Sequence, residues 1–162
     1  MYSGKIIEPP IRGLFCVLVL MKKLYENIVT GAFVMRTNRF VIHAEIDGRM
    51  EICHMPNPGR MRELLFPGVK MYLVKSRNPL NRTAYRVIGV ERDGEVILLD
   101  TSKCNDVAHY LVSHHLIAGW EEYSVVQREV TMGDSRCDLL LGNETTGEVF
   151  PVEVKSCTLF GE

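Results

Sequence analysis

The chain has no CxxC pair. Its five cysteines, Cys16, Cys53, Cys104, Cys137 and Cys157, stand singly and are odd in number. That argues against a disulfide framework and a structural zinc site, and makes a reducing cytosol the natural compartment. No cysteine and histidine are arranged locally as a nucleophile with its base. Bilayer-spanning runs are lacking too: the apolar stretch Gly13 to Met21 is too short to cross a membrane. Lys5 and Arg12 precede it as in a signal peptide, but no small-x-small cleavage site follows and Lys22-Lys23 come next. We read it as a peripheral strand or an extension outside the main fold. Repeats and low-complexity tracts are also missing, which excludes solenoid and linker architectures.

What remains is a near-neutral chain of 162 residues, 46% hydrophobic with net charge −1, the size of one globular domain or two small ones. The balance hides an asymmetry. Residues 31–99 carry 11 positive and 7 negative side chains, and residues 100–162 carry 4 and 11. The first region is suited to a polyanion and the second to divalent cations or plain solvation.

Residues 39–46, 50–53, 69–75, 83–91 and 95–100 read as strands, with Asp47-Gly48 a hairpin turn and a second turn at Arg92-Asp93-Gly94. Five short strands in so short a span predict a small closed barrel such as an OB-fold. Apolar residues at 107, 108, 111, 112 and 116 then predict a helix over 105–118, with Asn105 as N-cap and Gly119 as stop. Three strand segments follow, 123–130, 136–141 and 148–155. The expected fold is therefore α+β: a lead-in (1–30), an OB-like five-stranded barrel (31–99) and an α/β domain (100–162). That last domain has one sheet face without cover and reads as cut short at its C-terminus.

Asp138 lies 15 residues before Glu153, and Lys155 follows two residues later. On paired strands joined by the 142–147 turn, Glu153 and Lys155 share a face because side chains alternate. If Asp138 projects on that face, two carboxylates and an ammonium converge. Hard oxygen ligands of this kind hold Mg²⁺ or Mn²⁺, which activates water toward a phosphodiester, while a lysine offsets developing charge. The plainer alternative is a surface ion pair on a strand edge, although charges set within Leu139-Leu140-Leu141 and Val152-x-Val154 are costly unless partnered. Two close carboxylates repel, so Asp138→Asn is expected to remove metal and slightly stabilise the apo protein.

The loop His54–Met61 is fixed by Pro56, Pro58 and Gly59, and presents Asn57, Arg60 and the adjacent Arg62. Arg36 to Arg39 form a similar polar entry to the first barrel strand. Arginine forks there suit phosphates, and the alternative is a structural barrel corner. His114 and His115 point about 100° apart on a helix and make no ligand pair.

The segments Phe33–Val41, His54–Met61 with Glu63-Leu64, Pro67-Gly68, Asp100-Thr101-Ser102, Asn105, Arg128–Val130, Ser135–Leu140 and Val152–Leu159 together resemble the sugar fermentation stimulation protein A (SfsA) family, over roughly residues 21–162. The resemblance implies an OB-like domain followed by a PD-(D/E)xK nuclease-like domain, with DNA as ligand. It implies Asp138 and Glu153 as metal ligands, Lys155 as the catalytic lysine, and Mg²⁺ or Mn²⁺ as cofactor. Arg36, Arg39, Asn57, Arg60 and Arg62 are the expected DNA contacts, in a cytoplasmic protein without a membrane partner. Met55 and Pro58 depart from the Cys and Thr expected in that loop, and family members continue beyond residue 162. Three functions stay open: a metal-dependent nuclease, a non-catalytic DNA-binding regulator of sugar (maltose) metabolism, and an oligosaccharide- or RNA-binding barrel.

Overall fold

A computed structural model of the chain describes residues 14–76, 78, 80–133 and 135–156. Residues 1–13, Cys157 and the side chain of Cys16 lie outside the described residues. The rest form two compact units, one of residues 14–104 with Ser156 and one of residues 105–155.

The first unit is the barrel. Strands β1 (Ile28–Asn38), β2 (Val41–Ile46), β3 (Arg49–His54), β4 (Lys70–Lys75) and β5 (Tyr85–Arg92) are ordered β3-β2-β1-β4-β5. A parallel pairing of β3 with β5, Cys53 to Tyr85 and His54 to Arg86, closes the ring. β6 (Glu95–Leu98) is an addition on the outer edge of β5. Both hairpin turns form as expected. Asp47 and Gly48 have φ of 50° and 73°, and Asp93 and Gly94 have 51° and 77°, the double positive φ that a type I′ turn requires. Closure buries Ile42, Ala44, Cys53, Met55, Met71, Leu73, Val87, Val90 and Leu99 completely.

The barrel strands and the N-terminal run differ from expectation. The five barrel strands are not the five predicted: β1 was missed, and residues 95–98 stand outside the ring. β1 has no clean alternation, because bulges fall between Phe33 and Met35 and between Arg36 and Asn38. It also carries Gly31, where a Cβ would meet the Glu45 carbonyl oxygen at 2.7 Å. That glycine is a requirement of close strand approach. The apolar run at the N-terminus is also not a strand but helix α1 (Leu14–Leu24), with Lys22 and Lys23 in its last turn where cations suit the helix dipole. Met21 is 1% exposed and packs with Val17 against Tyr72, Ile88 and Val96 on the outside of the barrel, so the run covers apolar barrel surface. No helix among the described residues is long and apolar enough to cross a membrane.

Helix α2 (Cys104–Ser113) begins after a 3-10 turn at Thr101–Lys103 and carries the chain into the second unit. Strands β7 (Tyr123–Met132), β8 (Ser135–Asn143) and β9 (Val149–Val152) form an antiparallel meander. Val112 packs on Leu139 and Leu141, with Phe150, Val152 and Val154 beside them. The helix ends earlier than predicted, since His115 takes φ of 54° and stops it before Gly119. Asn105 is not its N-cap; Asp100 caps the preceding turn, accepting the Ser102 N–H.

Candidate functional site

β9 stops at Val152, so Glu153 and Lys155 lie beyond the strand that was expected to carry them. The register of β8 with β9 pairs Leu139 with Val152. Continued by one position, it sets Asp138 opposite Glu153. There the ladder gives way to a side chain: Asp138 Oδ2 accepts the Val154 N–H at 2.7 Å. Its other oxygen, Oδ1, accepts from Asn105 Nδ2, also at 2.7 Å. Lys155 Nζ pairs with Glu153 Oε1. The Val154 amide first, then Asn105, Lys155 and Arg136, hold the Asp138 carboxyl below its usual range against the opposing pull of partial burial. Glu153 in turn raises the Lys155 ammonium, with a smaller push from Asp138. The Asp138 carboxylate is thus ionised at neutral pH and the lysine is charged.

Asp138 has about four lone-pair sites, two of them taken by Asn105 and Val154. Two remain for a cation, with the Glu153 carboxylate opposite in register. This donor set is all hard oxygen, which fits Mg²⁺ or Mn²⁺ held by one or two carboxylates with water and substrate phosphate completing the shell. Among the described residues no group of three His, Cys, Asp or Glu side chains gathers as a metal site. A third carboxylate is nevertheless near in register. Glu129, with φ of 53°, falls between the pairs Arg128–Leu139 and Val130–Cys137, on the Asp138 rung, and its side chain pairs with Arg136 at 2.7 Å. Sequence reasoning missed Glu129 and the Asn105 contact. Asn105 was visible as a polar residue at a helix start, but nothing in its spacing tied it to Asp138.

The basic residues belong to the barrel. Arg36, Asn38, Arg39, Pro58, Gly59, Arg60 and Arg62 line a groove of about 690 Å³ with no acidic side chain in its wall. Arg39, Arg60 and Arg62 are exposed. Asn57 and Arg36 are placed differently. Asn57 is 6% exposed, and its Oδ1 accepts the Gly59 N–H at 2.9 Å, closing the loop on itself. Arg36 is half-buried, and its N–H groups point into the loop toward backbone carbonyls.

A separate cavity of about 640 Å³ in the same unit is bordered by Tyr25, Arg86, Asp100 and Ser102. Asp100, 2% exposed, accepts from both Arg86 Nε (2.8 Å) and Nη2 (2.6 Å), from Tyr25 Oη and from Ser102. Burial pushes its carboxyl up, but these donors together outweigh it and leave the group below its usual range. This network ties β5 to the segments before and after the barrel.

Comparison with known proteins adds two family matches. Residues 34–99 match the SfsA N-terminal OB domain, and residues 102–162 match the sugar fermentation stimulation protein RE domain. A sugar fermentation stimulation protein homolog of Methanothermobacter thermautotrophicus is 33% identical over 144 residues, covering 89% of this chain and 59% of the relative. One from Alkaliphilus oremlandii is 39% identical over 142 residues, covering 85% and 60%. The solved structure of Pyrococcus furiosus SfsA in complex with Ca²⁺ superposes with TM-score 0.66 at 27% identity, covering 85% of this chain and 58% of that one. The chain therefore spans less than two thirds of the length of these relatives.

Proposed function

This chain belongs to the sugar fermentation stimulation protein family, and on that premise we propose that it binds DNA through the basic barrel groove and carries a divalent-metal nuclease-like site at Asp138, Glu153 and Lys155. The observation that carries the reading is the Asp138 carboxylate, fixed between Asn105 and the Val154 amide and set in register opposite Glu153 of the Glu153–Lys155 pair. The relative whose title records a Ca²⁺ complex supports a divalent cation here. Asp138 and Glu153 would hold Mg²⁺ or Mn²⁺, with the Val154 carbonyl as a further oxygen donor. When bound, the ion supplies Lewis acidity toward a phosphoryl oxygen and lowers the pKa of a water.

The chain's own groups do the rest. Asn105 and the Val154 amide fix the carboxylate orientation and keep it deprotonated. Lys155 offsets charge gathering on the phosphoryl oxygens and orients the attacking water. Arg39, Arg60 and Arg62 attract the DNA backbone without reading sequence. The free cysteines suit a cytoplasmic setting.

The test is Mn²⁺ calorimetry on wild type and Asp138→Asn, followed by plasmid cleavage with Mg²⁺ or Mn²⁺. Binding by wild type alone supports the site, and equal affinity in both removes it. A non-catalytic, DNA-binding regulator is the second reading, favoured by the missing third ligand among the described residues. Metal binding without cleavage would establish that reading.

A further inference from the structure

We propose that Arg36 is a positioning residue rather than a phosphate contact: its guanidinium clamps the 54–61 loop to the β1–β2 turn and so presents Arg39, Arg60 and Arg62 to a polyanion. A guanidinium has five N–H donors and no acceptor. All five have backbone carbonyl partners. Nε donates to Asn38 O at 3.1 Å. Nη1 donates to Gly59 O at 2.6 Å and Arg60 O at 3.1 Å. Nη2 donates to Arg39 O at 2.6 Å and Asn57 O at 3.0 Å.

The acceptors come from two segments that are distant in sequence. Each segment is also closed by an asparagine: Asn38 Oδ1 accepts the Phe40 N–H, and Asn57 Oδ1 accepts the Gly59 N–H, both at 2.9 Å. Arg36 joins these two small turns. A planar fork bridges carbonyls on both, whereas a lysine ammonium has three donors radiating from one atom. A phosphate reaching Arg36 would have to displace one of these carbonyls. The exposed guanidinium groups of Arg39, Arg60 and Arg62 meet no such barrier.

The inference rests on the DNA-binding reading of the groove, so its test has one arm without DNA and one with it. Amide hydrogen exchange across residues 54–61 is compared between wild type and Arg36→Lys, beside DNA affinity. The clamp predicts that loop protection falls about tenfold or more in Arg36→Lys, since at least two charge-assisted bonds are lost, while strands β4 and β5 keep theirs. It also predicts that DNA affinity falls at least as far as in Arg60→Ala, although the charge is unchanged. A direct phosphate contact predicts the opposite, with the loop unaltered and Lys binding nearly as well, and that result overturns the proposal. Loosened loop amides in a protein that binds no DNA, in either form, would keep the clamp and sink the DNA reading. Should Arg36→Lys fail to fold, the wild-type Arg36 Nη protons serve instead. The clamp predicts distinct, slowly exchanging signals that do not shift on adding DNA, and a single averaged signal that shifts on addition overturns it.

Discussion

The Asp138 carboxylate takes the Val154 N–H at 2.7 Å, two residues past the end of β9, where the ladder closes at Val152–Leu139. A side chain thus receives an amide that a longer strand would hand to a backbone carbonyl. This single bond fixes both the acid and the segment that carries Glu153 and Lys155.

Asp138→Asn should therefore not stabilise the apo protein, as repulsion between carboxylates alone would imply. An amide keeps one acceptor oxygen but turns its NH₂ toward a donor, so one of the two bonds is lost. A destabilisation of about 1 kcal/mol is expected, together with loss of Mn²⁺ binding. Urea denaturation and calorimetry on the same samples check both. Unchanged or raised stability would show that repulsion outweighs the hydrogen bonds.

Asp100 should matter to the barrel in a pH-dependent way. Its folded pKa is depressed, so its stabilising contribution is complete above the ordinary carboxylate value of about 3.9 and is lost as pH falls through the lower folded value. Asp100→Ala, which strands Arg86, should cost about 3 kcal/mol near neutral pH. The wild-type and variant stabilities should converge as the medium is acidified below that range. Parallel curves down to the lowest pH would contradict the charge-based account.

Arg60→Ala and Arg39→Ala should each weaken binding to all DNA sequences about equally and lower the slope of log K against log salt by roughly 0.9. Binding measured at several salt concentrations with two unrelated duplexes checks this. A loss confined to one duplex would indicate base readout in place of phosphate contact.

Much of the barrel was legible because turn chemistry is local. Asp47-Gly48 and Asp93-Gly94 announce their hairpins in two letters. β1 was hidden because its irregularity is dictated by neighbours, with bulges against β2 and Gly31 pressed on Glu45, and no one-dimensional pattern shows that. The apolar 13–21 run was misread because its partners, Tyr72, Ile88 and Val96, lie far along the chain. The acids and lysine of the site were visible as residue types. What held them was not: Asn105 and Val154 are 33 and 16 residues from Asp138. Arg36 was recognised as a basic residue, yet its five carbonyl partners become visible only when both turns are folded.

The central claim is tested most directly through Lys155. Its side chain is 78% exposed and its ammonium is bonded to Glu153, close enough to Asp138 for each to shift the other's titration. A charge there stabilises the transition state more than the bound substrate, so it acts on rate. The measurement is single-turnover DNA cleavage with Mg²⁺ or Mn²⁺ by wild type, Lys155→Ala and Lys155→Arg, beside equilibrium DNA binding in Ca²⁺. The account predicts cleavage by wild type, a fall of about 10²-fold or more in Lys155→Ala with affinity nearly unchanged, and poor rescue by Arg. A wild type that binds DNA and metal yet cleaves nothing would contradict it, as would equal losses of rate and affinity in the alanine variant.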